Sequence, residues 1–278
     1  MNAEAIGWSN GEWNRADALG IPLTDRGLQL ADGLFETILV QDGQIRLLNE
    51  HLQRWQRSAA WLGMAAPPGA EVLKELISEA INRTKLNREG SAGALRLNWS
   101  RGSSSGRGIG LPSDDPDPTR HRFWLTLQPH KPDFEPATAW ISVLEQRNPN
   151  SVLSRCKTLA YGQAVQARRE AQEKGADVGL LCNTSNDLCC ADSANLLVHR
   201  QGEWITPPLN SGCLPGVMRA RAVEQGLVRE ASLGKELNAH DQVLLINSLG
   251  CRSLSAVNEM VLKPWPQTEQ LWQQLLGD

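Results

Sequence analysis

The sequence predicts a mixed α/β and α+β protein built from two domains. Strand-like and helix-like patterns alternate along the chain, and a segment rich in Gly, Ser, Pro and Asp interrupts them near the middle. The length of 278 residues is enough for two domains of ordinary size. We therefore expect an N-terminal α/β domain at 1–111, a linker at 112–121 and a C-terminal domain at 122–278.

The first half of the chain begins with a hairpin and two helices. Strand-forming residues on both sides of the turn QDG predict the hairpin. Asn49 is the expected N-cap of a helix that ends at Gly63, since apolar residues recur on one of its faces. The predicted elements are strands at 34–40 and 44–48, helices at 49–63 and 70–86, and a strand at 94–99.

The second half of the chain follows the segment RGSSSGRGIGLPSDDPDPTRH, whose composition is typical of a loop and then a linker. Strands and helices then resume, so a second domain is expected. Its predicted elements are strands at 122–127, 138–144 and 177–182, a helix after Lys157, short strands around 194–206, and helices after 214–216 and at 267–276.

Composition and charge exclude several classes of protein. A net charge of −3 argues against an extended nucleic-acid-binding surface, and no apolar run is long enough to span a membrane. The N-terminus shows no basic segment followed by an apolar stretch, so we expect no signal peptide and a cytoplasmic location. The six cysteines form no CxxC pair and are expected to be reduced thiols. The five histidines have no HxH or HxxxH spacing, so we predict no metal site.

Lys157 is the strongest candidate for a reactive residue. It is one of seven lysines against twenty-one arginines, and it lies in the mostly small and apolar stretch RNPNSVLSRCKTLAYGQAV. At a junction between a strand and a helix, beside Cys156 and Thr158, its amine is expected to be partly withdrawn from water, which favours the neutral, nucleophilic form. The alternative is a surface lysine whose stem packs along the start of a helix.

Seven short segments occur in a fixed order along almost the whole chain. They are DRGLQLADGLFET (25–37), HLQRW (51–55), RLNWSRGSSSGRG (96–108), CKTLAYG (156–162), SANLL (193–197), TPPLNSGCLPGVMR (206–219) and INSLG (246–250). Together they resemble the fold-type IV pyridoxal-phosphate enzymes, which include branched-chain and D-amino-acid aminotransferases and aminodeoxychorismate lyase. The resemblance implies a two-domain, D-amino-acid aminotransferase-like architecture whose C-terminal domain binds pyridoxal 5'-phosphate. SRGSSSGRG, RNPN and INSLG are most similar to the lyase branch.

The resemblance implies a role for each cofactor contact. Lys157 is the amine that bonds to the cofactor and then moves protons. Arg54 holds the phosphate, for which a guanidinium is well suited; the alternative is a solvated arginine on a helix face. The other implied contacts are Tyr161 at the phenolate oxygen, the backbone amides of Val217 and Met218, and the hydroxyl of Ser248. For Tyr161 the alternative is simple packing.

One position departs from the family pattern. The family has a glutamate five residues before the asparagine of its SANLL-like segment, and this carboxylate keeps the pyridine nitrogen of the cofactor protonated. Here the position is Cys190, or Leu188 if a two-residue insertion is allowed. Asp187 and Asp192 are the nearest carboxylates in sequence, and strand alternation does not assign either of them to the inner face.

The expected activity is that of a pyridoxal-phosphate-dependent carbon–oxygen lyase. It would convert 4-amino-4-deoxychorismate, a small-molecule substrate, to 4-aminobenzoate and pyruvate, as in folate biosynthesis. Aromatisation drives this reaction, so it tolerates the loss of the glutamate better than transamination does. The alternatives are a branched-chain or D-amino-acid aminotransferase and a non-catalytic paralogue.

Further residues are expected near the substrate. In the lyase interpretation Arg101 and Arg107 face the two substrate carboxylates, and Thr37 is a weaker candidate for a catalytic contact. The alternative for the two arginines is a linker with solvated charges. His51 is expected on the surface of the first helical turn. The resemblance also implies a homodimer in which the N-terminal domain of one subunit helps to close the site of the other.

Overall fold

A computed structural model describes residues 4–103, 108–111 and 114–277. The chain divides into two compact units: Met1–Lys131 with Cys156–Ala160, and Pro132–Arg155 with Tyr161–Asp278. Each unit combines one β-sheet with helices. The predicted mixed α/β and α+β class is therefore confirmed.

The first unit contains an antiparallel sheet and two long helices. Its elements are β1 (Ile6–Ser9), β2 (Glu12–Arg15), α1 (Arg26–Leu30), β3 (Gly33–Gln41), β4 (Gln44–Ile45), α2 (Leu48–Trp61), α3 (Ala70–Thr84), β5 (Ala92–Ser100) and β6 (Arg122–Pro129). The strand order in the sheet is β2-β1-β6-β5-β3-β4. The hairpin, both helices and the strand at 94–99 that the sequence predicts are confirmed.

The core of the first unit lies between α2, α3 and one face of the sheet. Alternate residues of the strands, such as Leu34, Ile38 and Leu95, are fully buried on that face, because successive side chains of a strand point to opposite sides. Trp55 of α2 and Leu73 of α3 pack against them. Burial of each such large side chain stabilises the fold by about 1.5–3 kcal/mol. This packing fixes α2 over β3, which matters for the site.

The boundary between the units lies later than the sequence suggests. The sequence predicts that β6 begins the second domain, but β6 is an inner strand of the first sheet. It pairs with β5 along its whole length, with Pro129 opposite Gly93 at one end and Arg122 opposite Ser100 at the other. The first unit therefore continues to Lys131. The predicted linker at 112–121 lies within the connection between two neighbouring strands. Its composition indicates a loop, but loops between strands and linkers between domains are rich in the same residues. Composition therefore does not distinguish the two.

The second unit is a mixed sheet with three helices. Its elements are β7 (Ala137–Arg147), α4 (Gly162–Glu173), β8 (Val178–Asn183), β9 (Leu188–Ala191), β10 (Asn195–Arg200), β11 (Glu203–Thr206), α5 (Val217–Glu224), β12 (Arg229–Glu230), β13 (Gln242–Asn247), β14 (Gly250–Val257), β15 (Met260–Val261) and α6 (Thr268–Leu276). The strand order is β12-β11-β10-β13-β14-β7-β8-β9, with β15 beside β14. β7 runs parallel to both β8 and β14.

The start of α2 differs from the prediction. Asn49 lies inside the helix, and the N-cap is Leu47, whose backbone is left-handed at φ 56° and ψ 35°. The returning strand β4 spans only Gln44–Ile45, so the chain turns into the helix before it reaches Asn49. The prediction of Asn49 as the N-cap is wrong.

The structure also describes the cysteines and the length and apolar character of the helices. All six cysteines are buried, and the structure pairs none of them in a disulfide. Among the helices in the described part of the chain, none combines the length and the apolar character needed to cross a membrane.

Candidate active site

Lys157 lies on a short extended segment at the edge of the first sheet. The amide of Phe35 donates a hydrogen bond to the carbonyl of Lys157 at 2.9 Å, and the amide of Leu159 donates to the carbonyl of Gly33 at 3.0 Å. Leu34 and Thr158 form an antiparallel bridge between these bonds. This pairing fixes the backbone of the lysine against β3. The following helix α4 begins only at Gly162.

The side chain of Lys157 lies over an aromatic ring. Its Nζ is 4.5 Å from the centroid of the Phe35 ring, and the residue is half-buried. Arg96 is a second cation at the same ring, with its guanidinium carbon 3.6 Å from the centroid. A cation over an aromatic face is attracted by the ring quadrupole. Phe35 therefore holds two basic side chains at one place on the sheet.

Arg96 and Thr37 share the sheet face that is opposite to the core. The register of β3 and β5 pairs Phe35 with Asn98 and Thr37 with Arg96, so these four side chains point the same way. The Nε of Arg96 donates a hydrogen bond to Oδ1 of Asn98 at 2.8 Å. Thr37 and Arg96 are half-buried. Sequence reasoning missed Arg96, although the alternation in ALRLNW places it opposite the buried Leu95.

Arg54 belongs to a buried ionic cluster with Glu36 and His51. Glu36 on β3 is 1% exposed, and both partners come from the face of α2 that packs on the sheet. The Nε of Arg54 donates to Oε1 of Glu36 at 2.8 Å, and its Nη2 donates to Oε2 of the same carboxylate. His51 Nδ1 lies 2.7 Å from Oε2 of Glu36. The prediction of His51 as a surface residue is wrong, because it is fully buried.

The cluster consists of one ion pair and one neutral imidazole. Burial opposes the charge on Glu36, but Arg54 and His51 outweigh it and lower the pKa of Glu36 to about 2. Burial lowers the pKa of His51, and the hydrogen bond to Glu36 offsets this only in part. His51 is therefore neutral. Because an ionised carboxylate only accepts, Nδ1 of His51 carries the proton and donates it to Glu36.

Arg101, one of the two predicted substrate contacts, binds groups of the protein itself. Its side chain is 6% exposed and donates to two carboxylates and two carbonyls. The acceptors are Asp32 at 3.0 Å, Asp115 at 2.7 Å, the carbonyl of Gly63 at 2.9 Å and the carbonyl of Leu62 at 2.9 Å. A substrate carboxylate would have to compete with Asp32 and Asp115 for the guanidinium of Arg101. Arg107, the other predicted contact, lies outside the described residues.

In the second unit, α5 begins at a tightly packed glycine. Gly216 is its N-cap and provides no side-chain acceptor for the first-turn amides. A Cβ at Gly216 would lie 1.9 Å from Oδ1 of Asn195, so any other residue would displace the Asn195 side chain. Val217 and Met218 open the helix, and their amides have no acceptor within it. They carry the positive end of the helix dipole, which favours an anion such as phosphate.

Cys190 and the two carboxylates nearest to it in sequence, Asp187 and Asp192, all lie in the second unit. Cys190 is buried on β9, which consists of Leu188, Cys189, Cys190 and Ala191. Asp192 binds Arg168 through two hydrogen bonds of 2.6 Å and also accepts from the amide of Gly179. Asp187 lies in the turn before β9, where its carbonyl accepts from the amide of Asn183. The thiol of Cys190 is thus the polar group that this position offers.

The remaining predicted cofactor contacts also lie in the second unit. Tyr161 is the half-buried residue that precedes α4. Ser248 lies in the tight turn between β13 and β14. Asn247 braces this turn, because its Oδ1 accepts from the amide of Leu249 at 2.8 Å and its carbonyl accepts from the indole of Trp272 at 3.0 Å. The structure thus groups Lys157, Arg54 and Thr37 in the first unit, and Tyr161, Cys190, Val217, Met218 and Ser248 in the second.

Comparisons with known proteins identify a family that the chain matches. Residues 33–257 match the family model described as "Amino-transferase class IV". A protein of Schizosaccharomyces pombe named "Putative aminodeoxychorismate lyase" is 30% identical over 220 residues, which cover 77% of this chain and 85% of that protein.

Two solved structures are similar over nearly the whole chain. A "Putative 4-amino-4-deoxychorismate lyase" from Legionella pneumophila has a TM-score of 0.79 at 25% identity, with 92% of this chain and 94% of that one covered. "A hypothetical aminotransferase from Mycobacterium tuberculosis, PLP-bound form" has a TM-score of 0.80 at 20% identity, with 98% and 97% covered. The second likeness shows the fold alone.

Proposed function

The chain belongs to the class IV amino-transferase family, and on this basis we propose that it is a pyridoxal-phosphate-dependent lyase. Its substrate would be 4-amino-4-deoxychorismate, and its products 4-aminobenzoate and pyruvate. The observation that carries the proposal is the lysine amine held on the edge of β3, where Lys157 and Arg96 share the ring of Phe35. The relatives named as aminodeoxychorismate lyases support this reaction.

The residues of the chain fit the aldehyde and phosphate of pyridoxal phosphate. Lys157 provides the amine that such an aldehyde requires. For the phosphate we assign Arg54, the amides of Val217 and Met218, and Ser248, a donor set of the kind that binds phosphate in proteins. Tyr161 is assigned to the phenolate oxygen. The chemistry differs from the family pattern only at the pyridine nitrogen, where Cys190 would replace a carboxylate.

The proposed reaction needs one proton removed and one carbon–oxygen bond broken. When bound, pyridoxal phosphate supplies an aldehyde for the substrate nitrogen and a conjugated ring that accepts electron density. Lys157 removes the proton from the ring carbon next to that nitrogen. The ether bond then breaks, the ring becomes aromatic, and the departing enolpyruvate takes a proton to become pyruvate. Arg96 and Thr37 orient the substrate carboxylates from the same sheet face.

Cys190 favours the lyase over the aminotransferase alternative. Transamination leaves negative charge on the carbon that bears the nitrogen, and a protonated pyridine stabilises that charge. A thiol is a poorer partner for a pyridinium than a carboxylate, because it carries no charge in its neutral form. Elimination is less dependent on this stabilisation, since aromatisation of the product supplies driving force.

A product assay tests the proposal. Purified protein with pyridoxal phosphate and 4-amino-4-deoxychorismate is expected to release 4-aminobenzoate and pyruvate in equal amounts. Lys157→Ala should abolish both products, while Lys174→Ala, which removes an amine over Trp140, should release them at the parent rate. Amino transfer to a keto acid without 4-aminobenzoate would replace the proposal with the aminotransferase alternative.

Cofactor labelling distinguishes an enzyme from a non-catalytic paralogue. The protein with bound pyridoxal phosphate should absorb visible light, and reduction with borohydride should leave the cofactor permanently attached to Lys157. Peptide mapping locates the label. A colourless protein, or a label on another lysine, would contradict the assignment of Lys157.

We also propose a cytoplasmic homodimer that serves folate biosynthesis. The homodimer follows from the family resemblance, and the folate pathway from 4-aminobenzoate as the product. Sedimentation at micromolar concentration should give twice the chain mass of 30.6 kDa. A single species of the monomer mass would contradict the dimer.

A further inference from the structure

The ionic cluster of Glu36, His51 and Arg54 occupies a position where apolar residues would be expected. Along β3, Glu36 lies between Leu34 and Ile38 on the face that packs against the helices, and both neighbours are fully buried. Burial of a charge is costly, and replacing a buried ion pair by apolar residues is often neutral or stabilising. Stability alone therefore gives a weak reason for a carboxylate at this position.

The geometry of the cluster explains what the carboxylate does. Glu36 binds Nε and Nη2, so both bonds lie on one edge of the Arg54 guanidinium. Two bonds to one rigid carboxylate define the plane and the rotation of a guanidinium, which a single bond cannot do. The Nη1 group is directed away from that edge. β3 thus determines the direction in which Arg54 presents its other donors.

We propose that Glu36 and His51 are positioning residues that hold Arg54 as the receptor for the phosphate of the cofactor. This inference rests on the proposed function, because it assigns Arg54 to that phosphate. His51 lies one helical turn before Arg54 on the same face of α2, and its Nδ1–H completes the hydrogen bonding of Oε2. A neutral imidazole provides this bond without adding a second positive charge that would compete with Arg54 for the carboxylate.

A competing explanation is that Glu36 only neutralises the charge of Arg54. The two roles differ in their response to Glu36→Asp, which keeps the charge but draws the carboxylate back by about 1.5 Å, the length of one carbon–carbon bond. Loss of positioning should weaken phosphate binding in this variant. Pure neutralisation predicts unchanged binding in Glu36→Asp, and tighter phosphate binding in Glu36→Gln, where the guanidinium lacks a counter-ion.

The test compares the affinities of pyridoxal phosphate and pyridoxal, which differ only in the phosphate. Spectroscopic titration gives both dissociation constants for each variant, and their ratio reports the phosphate contribution independently of turnover. General damage to the unit would weaken both ligands and leave the ratio unchanged. We expect Glu36→Asp and Glu36→Gln each to reduce the phosphate preference by about tenfold or more, the size of a lost charge-assisted hydrogen bond.

Matched variants make the result specific. Glu71→Asp, the same change at an exposed carboxylate of α3, should leave the phosphate preference at the parent value. His51→Leu should reduce it, and His51→Asn, whose amide nitrogen can replace Nδ1, should recover most of it. These milder variants keep the test informative if Glu36→Gln does not fold. A preference within twofold of the parent in Glu36→Asp would overturn the inference.

Failure of the inference can be distinguished from failure of the proposed function. A parent protein with a strong phosphate preference that weakens in Glu36→Asp, but with no release of pyruvate, leaves the inference intact and removes the lyase proposal. A parent protein that binds both ligands equally overturns the role of Arg54 and its two partners. The product assay would still test the lyase proposal on its own, with Lys157→Ala as the inactive control.

Discussion

Gly216→Ala is predicted to destabilise the second unit because the new methyl group has no room. The backbone of Gly216, at φ −67° and ψ 141°, suits any residue, so backbone strain does not contribute. The obstacle is Asn195, whose Oδ1 lies 1.9 Å from the position of the Cβ. Rotation of the Asn195 amide about χ2 only exchanges its oxygen and nitrogen at this place. The side chain must therefore change χ1.

The cost follows from the surroundings of Asn195. This residue is 6% exposed, and its Nδ2 donates to the carbonyl of Leu214 at 2.9 Å. A change of χ1 breaks this bond, and a buried polar group without a partner costs about 1–3 kcal/mol. Alanine is also a poorer N-cap than glycine. We expect Gly216→Ala to lower the free energy of unfolding by about 2 kcal/mol.

Gly162→Ala is the matched control. Gly162 is the first residue of α4, its φ is not positive, and no heavy atom lies within 4 Å of its Cβ position. Alanine restricts the unfolded chain here without a clash, so this variant should gain about 0.4–1 kcal/mol.

Urea unfolding, followed by circular dichroism without added cofactor, gives the stability of each protein. Equal midpoints for the two alanine variants would refute the reasoning. Gly216→Ala should also raise the dissociation constant of pyridoxal phosphate, because α5 begins at this residue.

Three further predictions concern acid stability, a buried arginine and the ring nitrogen of the cofactor. The pKa of Glu36, about 2, lies below its ordinary value of 4.5, so its contribution of roughly 3 kcal/mol to the free energy of unfolding is present above pH 4.5 and is lost as the pH falls towards 2. The lowered pKa of His51 adds a loss of stability that begins below about pH 6.5. Urea unfolding across this range should therefore show a free energy of unfolding that depends less on pH in Glu36→Gln than in the parent. Arg101→Met should cost about 1–3 kcal/mol, because it removes the partner of Asp115 and the donors to the carbonyls of Leu62 and Gly63. Arg83→Met at an exposed pair should cost less than about 1 kcal/mol in the same assay, and similar losses in the two variants would contradict the structural role. Cys190→Glu should increase any aminotransferase side activity relative to lyase turnover, and an unchanged ratio of the two rates would argue against contact between this residue and the ring nitrogen.

Local patterns in the sequence predicted the type of most elements. The hairpin β3–β4, the helices α2 and α3, and the helix after Gly216 follow from alternation, helical periodicity and turn residues, which act over a few neighbouring positions. Lys157 was recognisable because lysine is scarce in this chain and because the motifs around it occur in a fixed order. These features depend on residue identity and short spacing, and both can be read without a structure.

Only the tertiary structure decided which residues are buried together. β6 belongs to the first sheet because it pairs with β5 across a connection of some twenty residues, and no local pattern specifies a partner at that distance. His51 and Arg101 are polar residue types that usually lie at the surface, yet both are buried. Their burial is possible because carboxylates distant in sequence accept their hydrogen bonds. Periodicity determines which face of an element is apolar. The contacts of a charged side chain depend on which elements the fold packs together. The ion pair between Glu36 and Arg54 forms because α2 packs on β3, and no local pattern predicts it.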